Sequence, residues 1–140
     1  MTTESLLSEA EQQGLRDALD DEYKSFAIYA QVIEDFGRIR PFVNIVKAEA
    51  RHFSALLALF AKCGITPPQD RWRGAAPRFS NAHAACEAAV QGEIDNVAIY
   101  DRVLRSTARP DMIAVYSALR EASLERHLPA FRRCIERKSL

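Results

Sequence analysis

Cysteine, glycine and proline are scarce in this chain, and neither sign of charge is in excess. The three cysteines, Cys63, Cys86 and Cys134, stand far apart with no Cys-x-x-Cys spacing. Neither a disulfide framework nor a thiolate zinc or iron–sulfur site is expected, and they read as small core residues. Nineteen Lys and Arg balance nineteen Asp and Glu, for a pI near 6.8. That balance removes the positive field that nucleic acid or an anionic membrane surface would require. No apolar run approaches the roughly 20 residues of a membrane span. The N-terminal MTTESLLSEAEQQ has neither the basic start nor the apolar stretch of a signal peptide. The expectation is a cytoplasmic protein with no nucleic-acid or membrane partner. What the chain does have is 48% hydrophobic side chains in 140 residues, enough for one globular domain with a substantial core.

The few glycines and prolines divide the chain into long uninterrupted segments, and the periodicity of each is helical. Ser8 followed by Glu11 is a capping-box pattern opening a helix over residues 9–36, which Gly37 can end. Pro41 suits the first turn of a second helix over 41–63, stopped by Gly64. Residues 64–78, with Pro67, Pro68 and Pro77, carry no helical period and read as a long crossover. A third helix is expected over 79–106 and a fourth over 111–137, kinked near Pro129. Two antiparallel hairpins joined by one long connection make an all-α four-helix bundle.

The buried seam of each helix is informative. Helix one presents Leu15, Leu19, Glu22, Phe26, Tyr29, Ile33 and Phe36, and helix two presents Phe42, Ile45, Glu49, His52, Leu56, Leu59 and Cys63. Helix three presents Cys86, Val90, Glu93, Val97, Tyr100 and Leu104, and helix four Arg120, Leu124, His127, Phe131 and Cys134. Each seam turns polar near its middle. Unpaired ionised carboxylates there would cost several kcal/mol, and a divalent metal is the economical compensation because carboxylate oxygen and imidazole nitrogen are its natural ligands. Internal repetition points the same way. Glu22-Tyr-Lys-Ser-Phe-Ala-Ile-Tyr29 returns as Glu93-Ile-Asp-Asn-Val-Ala-Ile-Tyr100, and Glu49-Ala-Arg-His52-Phe returns loosely as Leu124-Glu-Arg-His127-Leu. Two copies of one hairpin related by a pseudo-twofold axis would bring these residues together at the bundle centre.

On the Glu22 segment, on Phe42-Val-Asn-Ile45 leading into Glu49-x-x-His52, on Gly92-Glu93-Ile94 and on His127-Leu-Pro-Ala-Phe131, the chain resembles the ferritin-like superfamily. Within it, the resemblance is to the rubrerythrin-like branch and a small uncharacterised ferritin-like domain family of bacteria and archaea. It spans nearly the whole chain. In that superfamily two helices each give one Glu and two each give Glu-x-x-His, enclosing a di-iron or di-manganese carboxylate centre. The resemblance implies Glu22, Glu49, His52, Glu93 and His127 as metal ligands, with iron the first choice and manganese or zinc the other ions to consider. It also implies iron(II) oxidation, or reduction of dioxygen or peroxide, as the activity. Because the chain lacks the paired-cysteine rubredoxin module, an external electron donor is expected, and a homo-oligomer is compatible with the fold.

Leu124 departs from the pattern: it stands where the second Glu-x-x-His would carry its glutamate, leaving three carboxylates in place of four. A mononuclear and an asymmetric dinuclear centre both follow from that count, and Arg120 on the same face is a candidate partner for an unused carboxylate. The competing reading is a non-enzymatic bundle, an interaction or assembly module, in which arginines cap Glu22 and Glu93 and the histidines are hydrogen-bonded core residues. His83 lies about 15 Å from Glu93 along the helix and reads as structural. Tyr29 and Tyr100 lie about 10 Å along their helices from Glu22 and Glu93, and read as packing residues or redox relays. Trp72, among Arg71, Arg73 and Arg78, reads as a tack holding the crossover to the bundle or as a partner contact.

Overall fold

The computed structural model describes residues 7–137, so residues 1–6 of the segment read above for signal features lie outside it. The capping box forms as expected: the Glu11 amide donates to Ser8 Oγ at 3.0 Å and the Ser8 amide to Glu11 Oε1 at 2.9 Å, opening α1, Glu9–Phe36. Gly37, at φ 93°, ends it, and a short turn leads into α2, Phe42–Cys63. Gly64 closes α2 in the left-handed conformation at φ 69°, where only glycine escapes the Cβ penalty. Helix α3, Ala82–Leu104, starts later than the periodicity predicts because Asn81 caps it, accepting from the Ala84 amide at 2.7 Å. The fourth rod is α4, Pro110–Ala122, then a π turn over Ser123–His127, then α5, Leu128–Glu136. The structure is all-helical among the described residues, a four-helix bundle of two antiparallel hairpins.

Contacts fix how the hairpins sit. Asp17 accepts from Arg102 and Glu11 from Thr107, while Tyr29 reaches Glu93, so α1 and α3 run antiparallel side by side. Gly14 permits their close approach, since a Cβ there would stand 3.0 Å from Val103. The crossover must therefore climb the bundle, and it does so along α1. Arg71 donates two hydrogen bonds to Asp20 and the Trp72 indole a third; further up, Arg78 is paired with Asp35. Lys24 and the Arg71 guanidinium both lie over the Trp72 ring. Trp72 is thus a tack.

The core is split into two apolar clusters. One gathers Leu15, Leu19, Leu56, Phe60, Met112 and Tyr116 around the α1 N-terminal end, and the other Tyr29, Phe42, Ile45, Ala89 and Phe131 toward the opposite end. The polar mid-seam residues lie between them. The three cysteines are buried core residues as expected, but the expectation of no disulfide is corrected. Cys86 and Cys134 are joined by a disulfide between α3 and α5, and only Cys63 is free, buried at the end of α2. The seam positions of Cys86 and Cys134, each seven residues from a polar centre residue, face one another across the bundle, which sequence spacing without topology does not reveal. His83 is structural as expected, its Nε2 2.8 Å from the Ile135 carbonyl oxygen. No helix among the described residues is long and apolar enough to cross a membrane.

Candidate metal centre

All five sequence-predicted ligands are buried and meet between the two apolar clusters: Glu22, Glu49, His52, Glu93 and His127, none more than 7% exposed. They form two groups sharing one member. Glu22, Glu49 and His52 offer ligand atoms within 4.8 Å of one another, and so do Glu49, Glu93 and His127. The two oxygens of Glu49 divide between the groups. Its Oε2 lies 3.8 Å from His52 Nδ1, which is itself 3.4 Å from Glu22 Oε2. Its Oε1 lies 3.0 Å from His127 Nδ1, which is 3.3 Å from Glu93 Oε1. The imidazoles stack with centroids 5.4 Å apart. Each of four helical rods contributes, as the pseudo-twofold repeat requires.

The outer oxygens of the two terminal glutamates are taken. Tyr100 Oη donates to Glu22 Oε1 and Tyr29 Oη to Glu93 Oε2, both at 2.6 Å. This corrects the reading of both tyrosines as packing residues. Seven residues along one helix is about 10 Å, but α1 and α3 are antiparallel, so each tyrosine lies opposite the glutamate of the other copy. The Glu-x6-Tyr repeat, taken as an antiparallel pair, carried that signal. Burial, followed by the neighbouring carboxylates, pushes both phenols well above their ordinary range, and they remain donors.

Asn96, missed in the sequence, links three elements. Its amide donates to Asp21 Oδ2 at 2.7 Å and Glu22 Oε1 at 3.3 Å, while its oxygen accepts from Ser123 Oγ at 2.7 Å. The position on the fourth rod that faces the centre therefore belongs to Ser123, 1% exposed, and Leu124 is 38% exposed. The expected seam through Leu124 is wrong by one residue. In the π turn the Leu128 amide bonds the Ser123 carbonyl, five residues back, and the extra residue rotates the preceding helix by about 100° relative to a continuous α-helix. Pro129 explains the location: it has no N–H for the Glu125 carbonyl and its ring crowds that carbonyl, so the turn before it widens. Arg120 follows the same rotation and pairs with Asp101 on α3 rather than with a buried carboxylate.

No lysine or arginine comes within 4.0 Å of Glu22, Glu49 or Glu93 among the described residues. Burial, with the charge of Glu22 added, pushes Glu49 far above the usual carboxylate range. Burial also acts on Glu22, but the close approach of Glu49 and His52 and the hydrogen bond from Tyr100 outweigh it and hold Glu22 at about 2. Even so, the centre is left short of partners. Among the described residues six buried side-chain polar atoms make no hydrogen bond, although five of them lie 3.0–3.4 Å apart in Glu–His contacts: Glu22 Oε2, Glu49 Oε1, His52 Nδ1, Glu93 Oε1, His127 Nδ1 and the Tyr116 hydroxyl. Five of the six belong to the residues of the two groups that share Glu49. Buried polar atoms are rarely left unpaired, and each one costs about 1–3 kcal/mol.

A helical bundle enclosing a buried carboxylate–histidine cluster that can hold a metal ion is the class of protein this fold and site define. The chain belongs to the family described as uncharacterized protein domain (DUF2202), which it matches over residues 11–140. Two solved structures are similar to it. A hypothetical protein of Methanococcus jannaschii shares 23% identity at a TM-score of 0.83, covering 93% of this chain and 82% of its own. A conserved hypothetical protein of Mycobacterium tuberculosis shares 19% identity at a TM-score of 0.80, covering 94% of both chains. At those identities the likeness is one of fold. No curated protein matches.

Proposed function

We propose that the chain is a ferritin-like, rubrerythrin-related metal protein that binds iron through Glu22, Glu49, His52, Glu93 and His127. One observation carries this reading: five buried ligand-type atoms that make no hydrogen bond fall in two groups joined at Glu49, each compact enough to hold a metal ion. A purely structural polar core would be expected to hydrogen-bond them. The donor set of three carboxylates and two imidazoles suits iron or manganese, and zinc less well at so oxygen-rich a site. With Glu49 between the two groups, the arrangement favours a dinuclear centre in which Glu22 with His52 and Glu93 with His127 are the terminal pairs. Three carboxylates supply about three negative charges, so hydroxide or water is required to complete two divalent ions.

Bound iron supplies the redox chemistry of iron(II) with dioxygen or peroxide. The chain's own groups hold and tune the ligands. Tyr29 and Tyr100 fix the outer oxygens of Glu93 and Glu22 so that the inner oxygens point at the centre, and Asn96 adds a second donor to Glu22. The two apolar clusters limit water on either side along the bundle axis. Electrons for repeated turnover come from an external donor.

The test is elemental analysis of protein purified without chelator, followed by anaerobic iron(II) titration and exposure to dioxygen or peroxide. Iron or manganese at one to two per chain, lost in Glu49→Ala, is expected, with oxidation of iron(II) faster than in buffer. Protein that takes up no divalent metal would return the reading to a non-enzymatic bundle.

A further inference from the structure

On the side of the bundle where α2 meets the π turn and α5, a groove of about 730 Å³ is lined by Arg40, Arg51, Arg126, Arg133 and Arg137, with no aspartate or glutamate in its wall. Of the ten other arginines, Arg71, Arg78, Arg102, Arg109 and Arg120 sit in ion pairs with Asp20, Asp35, Asp17, Asp111 and Asp101. None of the five groove arginines has an acidic partner within 4.0 Å among the described residues, and Arg137 instead donates to the Arg40 carbonyl oxygen at 2.9 Å. Since the chain's formal net charge is zero, these five positive charges leave the remainder of the protein net negative. Five arginines without acidic partners thus surround one concavity.

The placement follows from the internal repeat. His52 and His127 are each preceded by an arginine, Arg51 and Arg126. The histidines turn inward, and the pseudo-twofold axis brings both arginines to the same groove. His127 belongs to both places: its Nδ1 is 3.0 Å from Glu49 Oε1, and its ring is part of the groove wall. At the far end, Pro41 and Asn44 bring the start of α2 into the wall, and α2 has no acidic residue in its first turn and no side-chain cap. The positive end of that helix dipole adds to the arginines.

We propose that this groove binds a small phosphate-bearing molecule directly beside the carboxylate–histidine centre. Several planar guanidinium forks around one cavity match a group carrying more than one negative charge and three or more oxygens. The volume is that of a small-molecule site. A nucleic acid would require a basic surface extending over several phosphates, whereas these arginines surround a single cavity. The groove's affinity for phosphate does not depend on the metal reading. Only its position beside a redox centre does.

The experiment is calorimetric titration of chelator-treated, metal-free protein with inorganic phosphate and pyrophosphate, so that metal cannot supply the binding. Saturable binding of pyrophosphate, tighter than that of phosphate, is expected. It should weaken on the order of tenfold for each charge removed in Arg51→Gln and Arg126→Gln. Arg73→Gln on the crossover should leave it unchanged, and circular dichroism should show all three variants folded. Absence of saturable binding, or equal binding in the groove variants, would overturn the proposal. So would a single-stranded oligonucleotide binding more tightly than pyrophosphate. Because the titration is done without metal, failure of the metal reading leaves its outcome interpretable.

Discussion

At the scale of single residues, the centre is held by groups the chain cannot exchange for their nearest analogues. Tyr29 and Tyr100 differ from phenylalanine by one hydroxyl each, and each hydroxyl is the partner of a buried carboxylate oxygen. Tyr29→Phe leaves Glu93 Oε2 unpaired, and Tyr100→Phe leaves Glu22 Oε1 with only the longer bond from Asn96. Each is expected to destabilise the metal-free protein by about 1–3 kcal/mol and to weaken metal binding by roughly 10–100-fold, as measured by denaturant melts and metal titration. Equal stability and affinity would make the tyrosines packing residues after all. The five buried polar residues of the centre were legible in sequence because glutamate and histidine interrupt apolar seams at matched positions. Asn96 was not, since one amide on a helix looks like any solvated side chain until its neighbours Asp21, Glu22 and Ser123 are known.

At the scale of elements, the fourth rod shows where helical periodicity stops being a guide. The spacing of three and four from Cys134 through Phe131 to His127 holds, and then the π turn adds a residue. Proline announces a distortion but not its form, so a kink was foreseeable and the exchange of Leu124 for Ser123 on the inner face was not. The consequence is testable. Leu124→Glu places a carboxylate in solvent and should change stability by no more than about 0.5 kcal/mol, identically with and without metal. Ser123→Ala removes the donor to the Asn96 oxygen and should cost about 1–3 kcal/mol. Strong destabilisation by Leu124→Glu only in the metal-free protein would restore the regular helix. The crossover is a second case: its route along α1 depends on Asp20, which accepts from Arg71 and Trp72. These groups are partly exposed, so Asp20→Ala should cost no more than about 1 kcal/mol. Limited proteolysis should nonetheless cut within residues 65–78 faster than in the parent chain, and unchanged cleavage would mean that Asp20 does not anchor the segment.

At the scale of the whole molecule, the two-copy character of the sequence is the source of both the fold and the centre. Repeated Glu-x6-Tyr segments on α1 and α3 and Arg-His pairs on the other two rods predict a pseudo-twofold bundle, and the structure has its polar residues where that axis puts them. The symmetry is broken at one ligand position. Glu49 has no counterpart at the corresponding place on the fourth rod, and it faces both His52 and His127. The central claim is that Glu49 joins two half-sites into one metal centre. The most direct test is thermal melting of the parent chain and Glu49→Gln, each with chelator and with excess manganese(II) under anaerobic conditions. Metal that binds only the native constellation stabilises it by about 2.7 kcal/mol at a hundredfold excess over Kd. A melting temperature several degrees higher with manganese(II) is predicted for the parent chain, with little or no shift for Glu49→Gln. Equal shifts in both proteins, or none in either, would contradict the claim.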